Sequence, residues 1–221
     1  MLVVAGVALL AWTLVVYFWQ EPFTALYTRY EQHQMSSVLK RQFADPANGL
    51  RLPNARHASV ATEERAVATA AARYRRSVRI GQPLGRIMLP RLDLNMILIN
   101  GTDEGSLMKG PGRDPRSYMP GEGQLVYIAG HRTTYLAPFS HIDQIRDGDR
   151  ITLAMPYATF TYRMTGYRIV PADDMSVLKA RGHEELELQA CHPRFFATHR
   201  YVVYALPVRV TPRGGRPYVP S

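Results

Sequence analysis

The 221-residue sequence contains a single cysteine, Cys191. One thiol excludes an internal disulfide framework and any zinc site built from several thiolates. Lysine is scarce: Lys40, Lys109 and Lys179 are the only three among 27 basic residues. A GC-rich genome accounts for that arginine bias. No basic run is interleaved with aromatics, so nucleic acid is not an expected partner despite a formal charge of +9. The basic balance favours anionic partners such as phospholipid headgroups or wall polymers. Acidic residues are scattered rather than clustered, so neither a metal nor another cofactor is expected. No internal repeat is present. Apolar residues make up 46% and charged residues 20%, which excludes a disordered or fibrous chain. Gly and Pro number 16 each, which speaks for turns and strands rather than a helical bundle.

The first stretch, MLVVAGVALLAWTLVVYFW, carries no charge, and Thr13 is its one clearly polar residue. At ~1.5 Å per helical residue it approaches the ~30 Å of a bilayer core. Trp12, Tyr17, Phe18 and Trp19 gather towards its end, as an interfacial aromatic belt does. The run is longer than a signal-peptide core, and no small-x-small cleavage site follows it. Residues 1–20 are therefore expected to be a retained transmembrane anchor. Arg29 follows the segment and no Lys or Arg precedes it, so charge bias alone points the C-terminal side inward.

Residues 21–81 read as a helical and flexible linker. Phe23 to Phe43 is dense in polar residues and reads as a juxtamembrane helix. ADPANGLRLPNAR is rich in breakers and reads as a joint. ASVATEERAVATAAARYRR has high helix propensity, but its face is mostly Ala and is expected to bury little. Its basic end, Arg73, Arg75 and Arg76, reads as a solvated helix terminus favoured by the dipole, with a headgroup contact as the sharper alternative.

From residue 82 to 211 the pattern is that of strands. PLGRIMLPRLDLNMILING, QLVYIAG, DRITLAM, ATFTYRMTGYRIV, ELELQAC and RYVVYALPVRV are short apolar or alternating runs bounded by turn residues. FSHIDQIR reads as one short helix. Seven or eight strands with few helices predict a mainly β, mainly antiparallel barrel or sandwich. Residues 212–221 remain as a C-terminal tail.

His131 follows one strand, Cys191 ends another, and Arg200 opens the last, nine residues after Cys191. A thiolate attacks carbonyls, and nearby cations favour it. Imidazole stores the exchangeable proton, and a guanidinium offers a fork of donors to an oxyanion. This set suits acyl transfer. A lone Cys closing an apolar strand is ordinarily a small buried hydrophobe. His192, His199 and Arg194 lie nearer to Cys191 in the chain, and spacing alone does not choose among them.

LELQACHPRFFATHRYVVYA resembles the Cys–Arg region of sortases, AGHRTTYLAPFSHIDQIRDGD their histidine region, and GTDEGSLMKGPGRDPRSYMPGEGQLVYIAGH the run leading into it. The likeness covers residues 84–210. The CHP and GHRTTY forms are most similar to class E sortases of high-GC Gram-positive bacteria.

The resemblance implies a closed eight-stranded β-barrel with an N-terminal transmembrane helix, single-pass in the cell membrane with the catalytic domain outside. It implies a cysteine transpeptidase that cleaves an LAxTG- or LPxTG-like sorting signal of secreted surface proteins between Thr and Gly. The acyl group is held as a thioester and passed to an amine of a cell-wall precursor or pilin. By motif position, Cys191 is the nucleophile, His131 the general acid/base and Arg200 the oxyanion or substrate clamp. Thr133, Tyr135 and Ala190 are the implied substrate contacts. Ala190 and Glu187 stand where the family pattern T-L-x-T-C has Thr, which leaves a catalytically impaired peptide-binding module as the alternative. Papain-like enzymes place Cys before His, and L,D-transpeptidases carry Ser-x-Gly-Cys. Neither pattern is present.

Overall fold

A computed structural model describes residues 1–19, 22–50 and 59–220. Helix α1 covers Leu2–Trp19 and α2 covers Pro22–Ala44; α3 covers Val60–Ser77, and α4 is the single turn Glu104–Leu107. The strands are β1 (Pro83–Leu89), β2 (Leu94–Asn100), β3 (Gly112–Arg113), β4 (Leu125–Ala129), β5 (Arg150–Ala154), β6 (Ala158–Pro171), β7 (Glu185–His192) and β8 (His199–Pro212). They close into a barrel in the order β1-β2-β3-β4-β7-β8-β6-β5. The pairs β2–β3 and β4–β7 are parallel, and the other strand pairs are antiparallel.

Alternation decides what fills the barrel. Leu186, Leu188 and Ala190 of β7 join the main core, with Ile87, Leu98, Ile128, Phe160 and Val203. The intervening β7 residues face outward, as period-two side chains must. β2 breaks the alternation because both of its faces are buried. Leu94, Met96 and Leu98 point into the core, whereas Ile97 and Ile99 lie under Met35 and Leu39 of α2. A continuous apolar run is the signature of a strand covered on both sides.

Polar bonds fix α2 in place. The Gln32 side-chain amide accepts from Ile97 N at 2.7 Å and donates to Lys109 O at 2.8 Å. Thr28 Oγ1 donates to Met108 O at 2.8 Å.

Helix α3 buries more than its composition promised. Val67, Ala70, Ala71 and Tyr74 all enter the main core. Small residues let the helix axis approach the barrel, and Gly121 completes the fit. A Cβ there would sit 2.6 Å from Val67 Cγ1, at a φ of +91°. Tyr74 OH donates to Leu84 O at 2.9 Å, which ties the helix to β1. The basic end is likewise engaged. Arg73 Nη2 donates to Gly49 O, and Arg75 pairs with Glu122 at 2.9 Å. The expected joint holds a 3₁₀ turn, Pro46–Asn48, and its residues 51–56 lie outside the described residues. FSHIDQIR is not a full helix but a 3₁₀ turn over Ile142–Gln144.

Among the described residues, no helix is long and apolar enough to cross a membrane. The 18 residues of α1 reach about 27 Å at the usual helical rise, short of a ~30 Å hydrocarbon core. Leu2, Val3, Val7 and Leu10 are exposed, so these side chains of α1 are not buried by the barrel.

Candidate active site

The barrel topology gathers residues that are far apart in sequence. In the parallel pair β4–β7, Ala129 lies beside Gln189. The ladder runs on one step further, with Gly130 N donating to Gln189 O at 3.0 Å. His131 follows two residues after Ala129, and Cys191 two residues after Gln189. In the antiparallel pair β7–β8, Cys191 lies directly opposite Arg200. Paired positions on neighbouring strands share a face, so Cys191 and Arg200 sit in one row at the end of β7, and His131 follows two residues beyond the end of the adjoining strand β4. Below the row, Tyr127, Ala129, Val202 and Tyr204 form the apolar floor of the outer face. The Tyr127 hydroxyl donates to Gln189 Oε1 at 3.0 Å.

Cys191 is a free, half-buried thiol. His131 is partly buried, and its Nε2 has no hydrogen-bond partner among the described residues. Burial lowers the imidazole pKa below its usual 6.5, with Glu104 opposing that shift. The ring is therefore neutral at neutral pH and has a nitrogen free to take a proton. Arg200 commits Nη1 to the carbonyls of Ala197, at 2.8 Å, and His199, at 3.0 Å. Its charge also extends over the floor: burial raises the Tyr127 phenol, and Arg200 opposes that rise.

The loop after His131 is tightly built. Phe139 N donates to His131 O at 3.1 Å. Gly130 permits the packing, since a Cβ there would meet Phe139 Cδ2 at 2.6 Å. Tyr135, Leu136 and Ala137 have φ of 53°, 61° and 37°. Three successive left-handed residues without glycine store strain beside the site. The Tyr135 ring lies 5.1 Å from the His131 ring. Helix α2 holds Tyr135 from the other side. Thr24 Oγ1 accepts from Tyr135 N at 3.0 Å, and the Tyr27 ring meets the Tyr135 ring edge-on at 6.5 Å. Thr133 is half-buried in the same loop.

Ala190 is not where a substrate contact must be. It is 0% exposed, packs in the barrel core and pairs with Tyr201. The alternation that turns Cys191 outward turns Ala190 inward, so the Ala in place of Thr removes nothing from the cleft. The outward position without its Thr is 187. Sequence reasoning also missed Arg132, which is buried against the end of β7. Its guanidinium donates to Cys191 O at 3.3 Å, meets His192 Nδ1 at 2.9 Å and pairs with Asp143 at 2.8 Å. Burial and then the Arg132 charge lower the His192 pKa, so that ring serves the structure as a neutral acceptor. Adjacency to His131 in GHRTTY was the available signal.

The Sortase domain family pattern matches residues 87–208, more than half of the chain. The chain belongs to the sortase family. Sortase D of Bacillus subtilis strain 168 is 33% identical over 128 residues, covering 56% of this chain and 63% of that protein. The sortase thus spans a little under two thirds of that curated relative's length. The Clostridium perfringens sortase D5 transpeptidase shares the fold, with a TM-score of 0.62 at 18% identity over 81% of this chain and 99% of that one. Sortase E of Streptomyces avermitilis aligns with a TM-score of 0.55 at 28% identity, covering 61% of this chain and 93% of that one.

Proposed function

We propose that this sortase is a membrane-anchored cysteine transpeptidase that cuts a sorting signal of LAxTG or LPxTG type between Thr and Gly. The observation that carries the reading is Cys191 directly opposite Arg200 on β7 and β8, with His131 two residues beyond the end of β4. His131 takes the Cys191 proton as Sγ attacks the Thr carbonyl carbon. Arg200 stabilises the oxyanion of the tetrahedral intermediate. Collapse breaks the Thr–Gly bond, and the leaving amine receives the proton from His131. The acyl chain then rests on Cys191 as a thioester. An acceptor amine, from a cell-wall precursor or a pilin, attacks that carbonyl and gives its proton to His131. Sγ departs and recovers the proton. Water in place of the amine gives hydrolysis.

Within the family we favour class E, on the CHP and GHRTTY forms. Tyr135 and Thr133 are proposed to border the bound signal, from their place beside His131. The exposed apolar side chains of α1 support reading residues 1–20 as a membrane anchor, and hence a single-pass protein with an extracellular barrel. The test is transpeptidation: an LAETG-containing peptide and a primary-amine acceptor are incubated with the enzyme, and the acyl–amine product is followed by mass spectrometry. Wild type is expected to form it, and Cys191→Ala to form none. Product from Cys191→Ala would remove the assignment.

A further inference from the structure

The backbone ladder between β4 and β7 gives way to a side chain just where the thiol stands. Gly130 N donates to Gln189 O at 3.0 Å. Acceptors on one side of a strand recur every second residue, so the next carbonyl towards β4 is that of Cys191. β4 ends at Ala129, and the Cys191 carbonyl accepts from the Arg132 side chain, with Nη1 at 3.3 Å. The same Nη1 lies 2.9 Å from His192 Nδ1. On its other side the guanidinium holds the loop that follows His131. Nε donates to Ser140 O at 3.3 Å, and Nη2 pairs with Asp143 Oδ2 at 2.8 Å. One planar group therefore ties the end of β7 to that loop, and it does so from the residue next to His131.

This geometry separates Arg132 from Arg200. The Arg132 side chain is only 3% exposed. Four of its five N–H donors are engaged: Nε, both hydrogens of Nη1 and one of Nη2. A group so covered is not free to hold a substrate oxyanion. Arg200, among the described residues, spends only Nη1 on hydrogen bonds.

The thiol and the imidazole stand on separate stretches of chain, so their spacing has to be held by something outside either one. Misplacing a reacting group by about 1 Å costs up to about a hundredfold in rate.

We infer that Arg132 is a positioning residue for acyl transfer: its guanidinium clasps the Cys191 carbonyl and the His192 ring against Ser140 and Asp143, and so fixes the thiol relative to His131. This rests on the sortase reading above. Lysine does not replace it, because a point charge cannot span four acceptors arranged around one plane.

The experiment compares wild type, Arg132→Lys, Arg132→Met and Asp143→Asn in cleavage of an LAETG-containing peptide, with circular dichroism and melting temperature reporting the fold. Both Arg132 variants are expected to lose about tenfold or more in kcat, with KM within about twofold of wild type. Asp143 is half-exposed at the outer arm. Asp143→Asn is therefore expected to stay folded and to lose about threefold in kcat alone, as one charge-assisted bond weakens. Histidine-resolved NMR gives a second readout. Burial and then the Arg132 charge hold the His192 pKa down, with Asp143 opposing and His199 adding to the fall. In Arg132→Met the His192 ring is expected to titrate higher, and an unmoved titration overturns the contact. Wild-type kcat in Arg132→Lys, or a loss carried by KM, overturns this inference alone. Should the Arg132 variants fail to fold, Asp143→Asn decides, and wild-type kcat there overturns the inference as well. Absence of a Cys191 acyl-enzyme in wild type overturns the sortase reading, and this inference with it.

Discussion

His131 is the residue at which burial and chemistry meet. Desolvation holds its pKa below 6.5, so the ring rests neutral with Nε2 ready to accept. In histidine-resolved NMR titration it is expected to titrate below 6.5, and a midpoint above that value would contradict the resting state described. Glu187 shows the opposite shift, from 4.5 up to about 7. A carboxyl raised in the folded state contributes stability that is fully present below its unfolded value and is lost as pH rises through the folded one. Glu187→Gln carries no titrating group. The melting temperature of wild type is therefore expected to fall relative to that variant between pH 4.5 and about 7, and a constant difference across that window would refute the shift. At the proposed clamp, Arg200→Lys is expected to lose most turnover, because a point charge does not reproduce the fork. Steady-state kinetics on the cleaved peptide provide the check.

At the scale of elements, much was legible in the sequence and some was not. Strand positions followed from short apolar runs between turn residues, and β7 is the clearest case. ELELQAC alternates, so Leu186, Leu188 and Ala190 belong to one face and Glu187, Gln189 and Cys191 to the other. That pattern held the answer to which Thr-replacing residue faces the cleft, although family analogy alone grouped Ala190 with the substrate contacts. The docking of α2 on β2 was not legible, because it rests on a Gln32 amide and a Thr28 hydroxyl meeting backbone groups distant in the chain. The packing of α3 was underestimated because an Ala-rich face buries little area per residue yet permits close approach. Two outcomes check these contacts. Tyr74→Phe removes the bond to Leu84 O and is expected to cost about 1 kcal/mol in urea unfolding. Thr24→Ala frees the Tyr135 amide and is expected to speed its hydrogen exchange about fivefold, the equivalent of one ordinary hydrogen bond. Unchanged exchange would mean that α2 does not brace the loop after His131.

The whole molecule joins an apolar helix, a bracing helix and a barrel so that the loop after His131 lies against the first turns of α2. The described side chains of α1 are exposed, and removal of α1, the proposed anchor, is expected to release the protein from the membrane fraction with no change in melting temperature. The barrel supplies the site, because parallel β4–β7 and antiparallel β7–β8 bring three separate stretches of chain to one end. The most direct measurement of that claim is peptide-mapping mass spectrometry of the enzyme quenched during turnover of an LAETG-containing peptide. The account predicts an acyl adduct on Cys191 in wild type, greatly reduced by His131→Ala and by Arg200→Ala. An adduct formed equally fast in those two variants, or located on another residue, would contradict it.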